Sequence, residues 1–172
     1  MLKIRLGDIT KIETQAMVNS ANPSLLAGGG VCGAIHRVAG PQLEVACRAI
    51  GKIVAGEAVL TRAFDLPAEF VIHAVAPRFF DGERHEAATL KQTYISICKV
   101  LAVTQITSVT LPSLGTGIYR FPLHLAATIA CQTLYDHLPT NCEATIIGFD
   151  QETVDAYRSA STATIGLPHS AP

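Results

Sequence analysis

Residues 26–36 read LAGGGVCGAIH, and which α/β fold this chain adopts turns on how that stretch is read. Gly28, Gly30 and Gly33 satisfy G-x-G-x-x-G, the fingerprint of a dinucleotide-binding Rossmann unit. That unit needs a strand ending directly at the first glycine and an acidic residue about 20 positions further on. Neither condition is met. The segment NPSLLA (22–27) separates the apolar run AMVNS (16–20) from the glycines, and the nearest downstream acids are Glu44 and Glu57. What survives is the physics beneath the motif. Glycines let a backbone approach an anion closely, and a helix beginning near Val31 would offer free N–H groups and a positive dipole end. The bland alternative is a glycine-rich turn that binds nothing.

A second stretch, VTLPSLGTGIYRFP (109–122), again ends an apolar run and delivers Gly-x-Gly ahead of a helix entered at Pro122. Two such loops at the carboxyl ends of strands are able to close on a diphosphate from opposite sides. Tyr119 follows the second loop, where its ring either stacks on a sugar or base or packs at a strand end.

Short apolar runs alternate with longer helical stretches, the pattern of a layered α/β domain whose helices cover a largely buried sheet. Strands are expected near 2–6, 16–19, 57–61, 69–76, 106–112 and 143–149, and helices near 31–39, 41–50, 84–103, 122–137 and 151–158. Residues 1–160 are expected to form one domain and 161–172, STATIGLPHSAP, a disordered tail. Pro41 and Pro122 suit the first turn of a helix.

Composition narrows the function. Thirteen basic against fourteen acidic residues, with no basic run, argue against a nucleic-acid partner, so an anionic ligand must be held locally. No apolar run reaches the length of a membrane span, and the N-terminus lacks the apolar core of a secretory signal; the expected compartment is the cytoplasm. Five widely spaced cysteines, an odd number with no C-x-x-C pair, indicate neither a disulfide framework nor a zinc site. His73, inside an apolar run, reads as a hydrogen-bonded core residue. His85, His124, His137 and His169 show no ligand spacing. No metal and no cofactor are expected.

The combination GDIT (7–10), VNSAN (18–22), GGGVCGAIHRVAG (28–40), GEAVLT (56–61), LPAEFVIHAVAP (66–77) and LPSLGTGIYRFP (111–122) closely resembles the macrodomain family, in particular its MacroD-type branch of ADP-ribose-handling hydrolases. The similarity runs in order over residues 2–158. It implies a three-layer α/β/α sandwich around a mixed, mostly parallel central sheet, with ADP-ribose in a cleft above the carboxyl ends of the central strands. It further implies that Asp8, with Ile9 beside it, receives the adenine amine, although Asp8 is also good capping chemistry. Asn22 resembles the residue contacting the distal ribose, and Asn19 a loop brace. Gly28, Gly29, Gly30 and Val31 would flank the diphosphate and distal ribose. Gly115, Thr116, Gly117 and Ile118 would supply amides to the phosphates, with Tyr119 against the distal ribose. Phe149 matches an aromatic near adenine, where a lone strand-end phenylalanine is otherwise core.

The chain departs from the branch at Cys32, where the pattern normally carries an aspartate assigned to the attacking water. A thiol is a poor general base and a weak acceptor. Relatives without the carboxylate include binders without turnover and others in which a substrate phosphate positions the water. Cys32 and His36, four apart on a helix, could share a face as an activated thiol pair; Cys32 could equally be a small substitute lining the cleft or a redox-sensitive gate. Catalytic candidates are therefore Asn22, Cys32 and His36. The expected activity is hydrolysis of O-acetyl-ADP-ribose or of mono-ADP-ribosyl esters on proteins, in a bacterial cytoplasm. The alternative is a non-catalytic ADP-ribose reader, and a nicotinamide-dependent oxidoreductase is the third option.

Overall fold

The structure is a computed structural model that describes residues 1–166. Six strands alternate with five helices: β1 (Leu2–Leu6), β2 (Thr14–Ser20), α1 (Gly30–Ala39), α2 (Pro41–Ile50), β3 (Ala58–Arg62), β4 (Ala68–Ala74), α3 (Glu86–Thr104), β5 (Ser108–Leu111), α4 (Leu123–His137), β6 (Glu143–Gly148) and α5 (Gln151–Ile165). The strands form one sheet in the order β1-β6-β5-β2-β4-β3. Only β3 is antiparallel, against β4; the other pairings are parallel, as the mixed, mostly parallel expectation requires.

Central β2 buries Ala16, Met17, Val18 and Asn19 consecutively, as a parallel strand covered on both faces must. Alternate residues enter two separate cores. Ala16 and Val18 join Ile72, Leu90, Tyr94, Leu111 and Ala130, whereas Met17 joins Ile35, Leu43, Cys47 and Val71. On α1, Cys32, Ile35, His36 and Ala39 are buried at helical spacing, which seats that helix on the second core. This is the three-layer sandwich.

Element boundaries differ from expectation for local reasons. β4 stops at Ala74, before Pro77, which has no N–H to continue a ladder. α3 starts at Glu86 rather than 84, because the Glu86 carboxylate accepts from the amides of Phe80, Gly82 and Arg84 and holds the preceding turn outside the helix. α5 runs seven residues beyond the expected 158, so 161–165, expected as the start of a loose tail, are helical. Thr162 and Thr164 hydrogen-bond carbonyls one turn back, at Arg158 and Ala160, and Thr164 is buried. The rest of the expected tail, 167–172, and with it His169, lies outside the described residues. No helix among the described residues is long and apolar enough to cross a membrane.

Because β1, β6, β5, β2 and β4 all run the same way, their carboxyl ends share one edge of the sheet. Loops following them are gathered there whatever their separation in sequence. Asp8 follows β1, Phe149 follows β6, residues 112–121 follow β5, residues 21–29 follow β2 and Arg78 follows β4.

Candidate functional site

The loop after β2 is braced from within. Asn22 Oδ1 accepts from the Ser24 amide at 3.1 Å and the Ser24 hydroxyl at 2.6 Å, while Asn22 Nδ2 donates to the Leu26 carbonyl at 2.8 Å. This loop then enters α1 through four consecutive exposed or half-exposed positions, Gly28 to Val31. Gly29 caps α1 with no side chain to satisfy the first amides, and Gly30 has φ +59. Those amides lack the partner that a capped helix supplies. At α5, by contrast, the Asp150 carboxylate accepts from the Thr153 amide at 2.8 Å and uses the terminus up. The open end of α1 is therefore a place for an anion.

The loop after β5 faces it. Gly115 has φ +78, and its carbonyl accepts from the Phe121 amide, closing a turn. The amides of Thr116, Gly117 and Ile118 make no hydrogen bond to main-chain acceptors of the described residues. Thr116 is tied back to Ser113, whose hydroxyl lies 3.0 Å from that of buried Tyr157, so the loop's base is fixed while its tip is bare. The two loops meet: a Cβ on Gly29 would lie 2.9 Å from Ile118 Cδ1, and Ile118 is 69% exposed. Gly29 thus sits where the two amide-bearing turns approach.

At the β1 and β6 end, the Asp8 carboxylate caps a single 3-10 turn (Ile9–Lys11), accepting from the Thr10 hydroxyl at 2.7 Å and its amide at 3.1 Å. Chiefly that hydroxyl, against the opposing effect of burial and helped by the Thr10 amide and Lys11, lowers the Asp8 pKa. An ionised carboxylate there remains an acceptor. Ile9 places its side chain in the second core, so only its main chain is free to meet a ligand. Phe149 is 90% exposed, which removes the core reading. A large apolar ring held in water beside the site is the exposure that a planar ligand would relieve. Phe149→Ala is expected to weaken binding of an adenine nucleotide about tenfold, the size of one aromatic stacking contact, with the melting temperature unchanged because the ring packs on nothing. Calorimetric titration beside a thermal melt checks both halves.

At the other end, Tyr119 is half-buried, its carbonyl accepts from the Phe79 amide at 2.9 Å, and the Arg78 guanidinium carbon sits 5.1 Å above its ring. Sequence reasoning missed Arg78 and the Glu86-braced turn behind it. The signal for Arg78 was its position directly after the AVAP that ends the β4 segment.

Cys32 is only 5% exposed. Its sulfur lies 3.6 Å from the Leu26 carbonyl, to which the thiol donates, and 3.7 Å from Asn19 Nδ2. No hydrogen bond joins Cys32 to His36 among the described residues. His36 instead faces His73, ring centroids 6.3 Å apart. His73 is fully buried, with Nδ1 3.1 Å from Asn19 Nδ2 and Nε2 2.9 Å from the Thr61 hydroxyl and 3.6 Å from Cys47 Sγ. Burial, then the neighbouring His36, pushes the His73 pKa down to about 4; burial lowers that of His36 too, and raises the Cys47 thiol to about 11. A recess of about 460 Å³ lined by Gly28, Gly33, His36, Arg37 and Glu44 includes no residue of the second loop.

The family model described as Macro domain matches residues 18–130. An O-acetyl-ADP-ribose deacetylase of Enterobacter cloacae subsp. cloacae is 44% identical over 163 residues, 91% of each chain. A macro domain-containing protein of Lactiplantibacillus plantarum is 42% identical over 166 residues, 94% of this chain and 96% of that one. Among solved structures, a mutant Oceanobacillus iheyensis macrodomain with ADPR superimposes with TM-score 0.91 at 34% identity, covering 95% of this chain and 93% of that one.

Proposed function

This chain belongs to the macro domain family, and on that premise we propose that it binds ADP-ribose and hydrolyses an ester at the distal ribose, with O-acetyl-ADP-ribose or mono-ADP-ribosylated acidic side chains as substrate, in a bacterial cytoplasm. The observation that carries this reading is the pair of amide-bearing turns on adjacent strands β2 and β5, open on the same edge of the sheet. Amides fixed by their loops bind a diphosphate without reorganising, and the dipole of α1 adds to them. Asp8 and Phe149 mark the adenine end. Tyr119 and Arg78 mark the ribose end.

In the reaction, the two loops fix the diphosphate and so place the ester carbonyl. Water attacks it with a substrate phosphate oxygen taking the proton, the acyl–oxygen bond breaks, and that proton passes to the departing ribose oxygen as the carboxylic acid leaves; placement supplies most of the rate. Cys32 does not serve as base, being buried with its thiol turned to the Leu26 carbonyl. Asn22 already spends Oδ1 and one N–H on its own loop, leaving a second N–H for a ribose hydroxyl. The absence of a positioned base is expected to lower the rate about a hundredfold to ten-thousandfold below that of an enzyme that has one.

That same burial of Cys32 favours the second reading, a module that recognises ADP-ribose without cleaving it. Incubating the protein with O-acetyl-ADP-ribose and following ADP-ribose by chromatography separates the two. The hydrolase reading predicts steady product above the uncatalysed background. Saturable binding of the ester with no product above background assigns the reader instead.

A further inference from the structure

His36 on α1, Cys47 on α2 and His73 on β4 bring one ring nitrogen each from the histidines and the Cys47 Sγ within 4.8 Å of one another in a buried cluster. We propose that these three side chains form a metal site that takes one zinc ion and ties both helices to the sheet. The inference is independent of the ADP-ribose reading, and it departs from the expectation, drawn from spacing alone, that no metal binds.

Two imidazoles and a thiolate are a donor set suited to zinc. Zinc bonds of about 2.0–2.3 Å at tetrahedral angles separate ligand atoms by about 3.3–3.8 Å. Cys47 Sγ and His73 Nε2, at 3.6 Å, already meet that separation. The His36 ring nitrogen lies within 4.8 Å of both, near enough for a tilt of the ring to bring it to bonding distance of a shared ion. An independent observation points the same way: His36 Nε2 is buried and has no hydrogen-bond partner, a costly state for a polar atom that an ion would relieve. His36 also lines the 460 Å³ recess, which gives an ion a path to the cluster.

The arrangement around His73 explains how the site opens. With Asn19 Nδ2 facing Nδ1, the ring proton sits on Nε2 and is directed at Thr61 Oγ1. Asn19 Oδ1 is then buried without a partner. Half a turn of that amide lets Oδ1 accept from Nδ1–H and frees the Nε2 lone pair for a ligand bond. A histidine anchored through its other nitrogen to a carbonyl oxygen is the usual support of a metal site. Cys47 loses its proton to solvent as the Zn–S bond forms, and no electrons are transferred.

The test uses the full chain, stripped with a chelator and titrated with Zn²⁺ against a chromophoric competitor. The proposal predicts one equivalent retained after desalting and a melting temperature raised by several degrees. Co²⁺ in its place should give a near-ultraviolet thiolate charge-transfer band. Cys47→Ser should abolish that band, and His36→Gln should weaken retention at least about tenfold, as loss of a ligand requires; Cys98→Ser should change neither. No retained equivalent, no charge-transfer band in the unsubstituted protein, or retention in Cys47→Ser and His36→Gln equal to that of the unsubstituted protein would overturn the site. The band is read in the native chain, so the result stands even where a variant fails to fold.

Discussion

Gly33→Ala should reduce ADP-ribose affinity about a hundredfold or more, the largest loss expected of any single methyl group in this chain. A Cβ at Gly33 would stand 2.3 Å from the Gly28 carbonyl oxygen, inside any real contact distance. The obstruction is main chain, so no rotamer change relieves it. Gly28 is exposed and gives way more readily than α1, which is anchored by buried Cys32, Ile35, His36 and Ala39, so the strain is discharged by displacing the first turn. That displacement moves Gly28 against Asn22 Nδ2, 3.2 Å from where its own Cβ would lie, and drags the amides of 29–31 out of register with the second loop. Fold should largely survive, with a stability cost of about 1–3 kcal/mol. Calorimetric titration and a thermal melt check this. Unchanged affinity would remove the first loop from the grip.

Cys32→Asp should raise turnover of O-acetyl-ADP-ribose about a hundredfold, the lower end of what a positioned general base contributes. The position is prepared for a carboxylate in two respects. Asn19 Nδ2 is a donor 3.7 Å from the present sulfur, and the uncapped end of α1 favours negative charge in its first turn. One feature opposes it: the Leu26 carbonyl, 3.6 Å from the sulfur, accepts from a thiol and would repel a carboxylate. Initial rates at saturating substrate read the effect. A rate unchanged or lowered, in a variant that still binds ADP-ribose, would show that a missing base is not what limits this protein.

Much of the fold was legible because its signals are local. Runs such as AMVNS and FVIHA are apolar enough to be buried strands, and Pro41 and Gly40 bracket the α1–α2 junction in conformations their chemistry dictates. The full length of α5 is not legible in the sequence, because its last turns are held by threonine back-bonds and one buried threonine rather than an apolar stripe. At the site, glycine spacing exposed both loops, since backbone approach needs glycine wherever it occurs. The division of labour between the two asparagines was less legible. Asn22 carries the hydrogen bonds that brace its loop, while Asn19 is buried between Cys32 and His73. His36, Cys47 and His73 could not be grouped from spacing, because packing of two helices on one strand, not sequence interval, brings them within 4.8 Å.

The grip of two turns on a diphosphate is tested most directly by titrating the protein with ADP-ribose, ADP and AMP under one set of conditions. If the amides of both loops hold the diphosphate, ADP keeps most of the affinity of ADP-ribose and AMP loses about a hundredfold, the worth of several charge-assisted hydrogen bonds. AMP binding as tightly as ADP, or no heat with any of the three from folded protein, would contradict it.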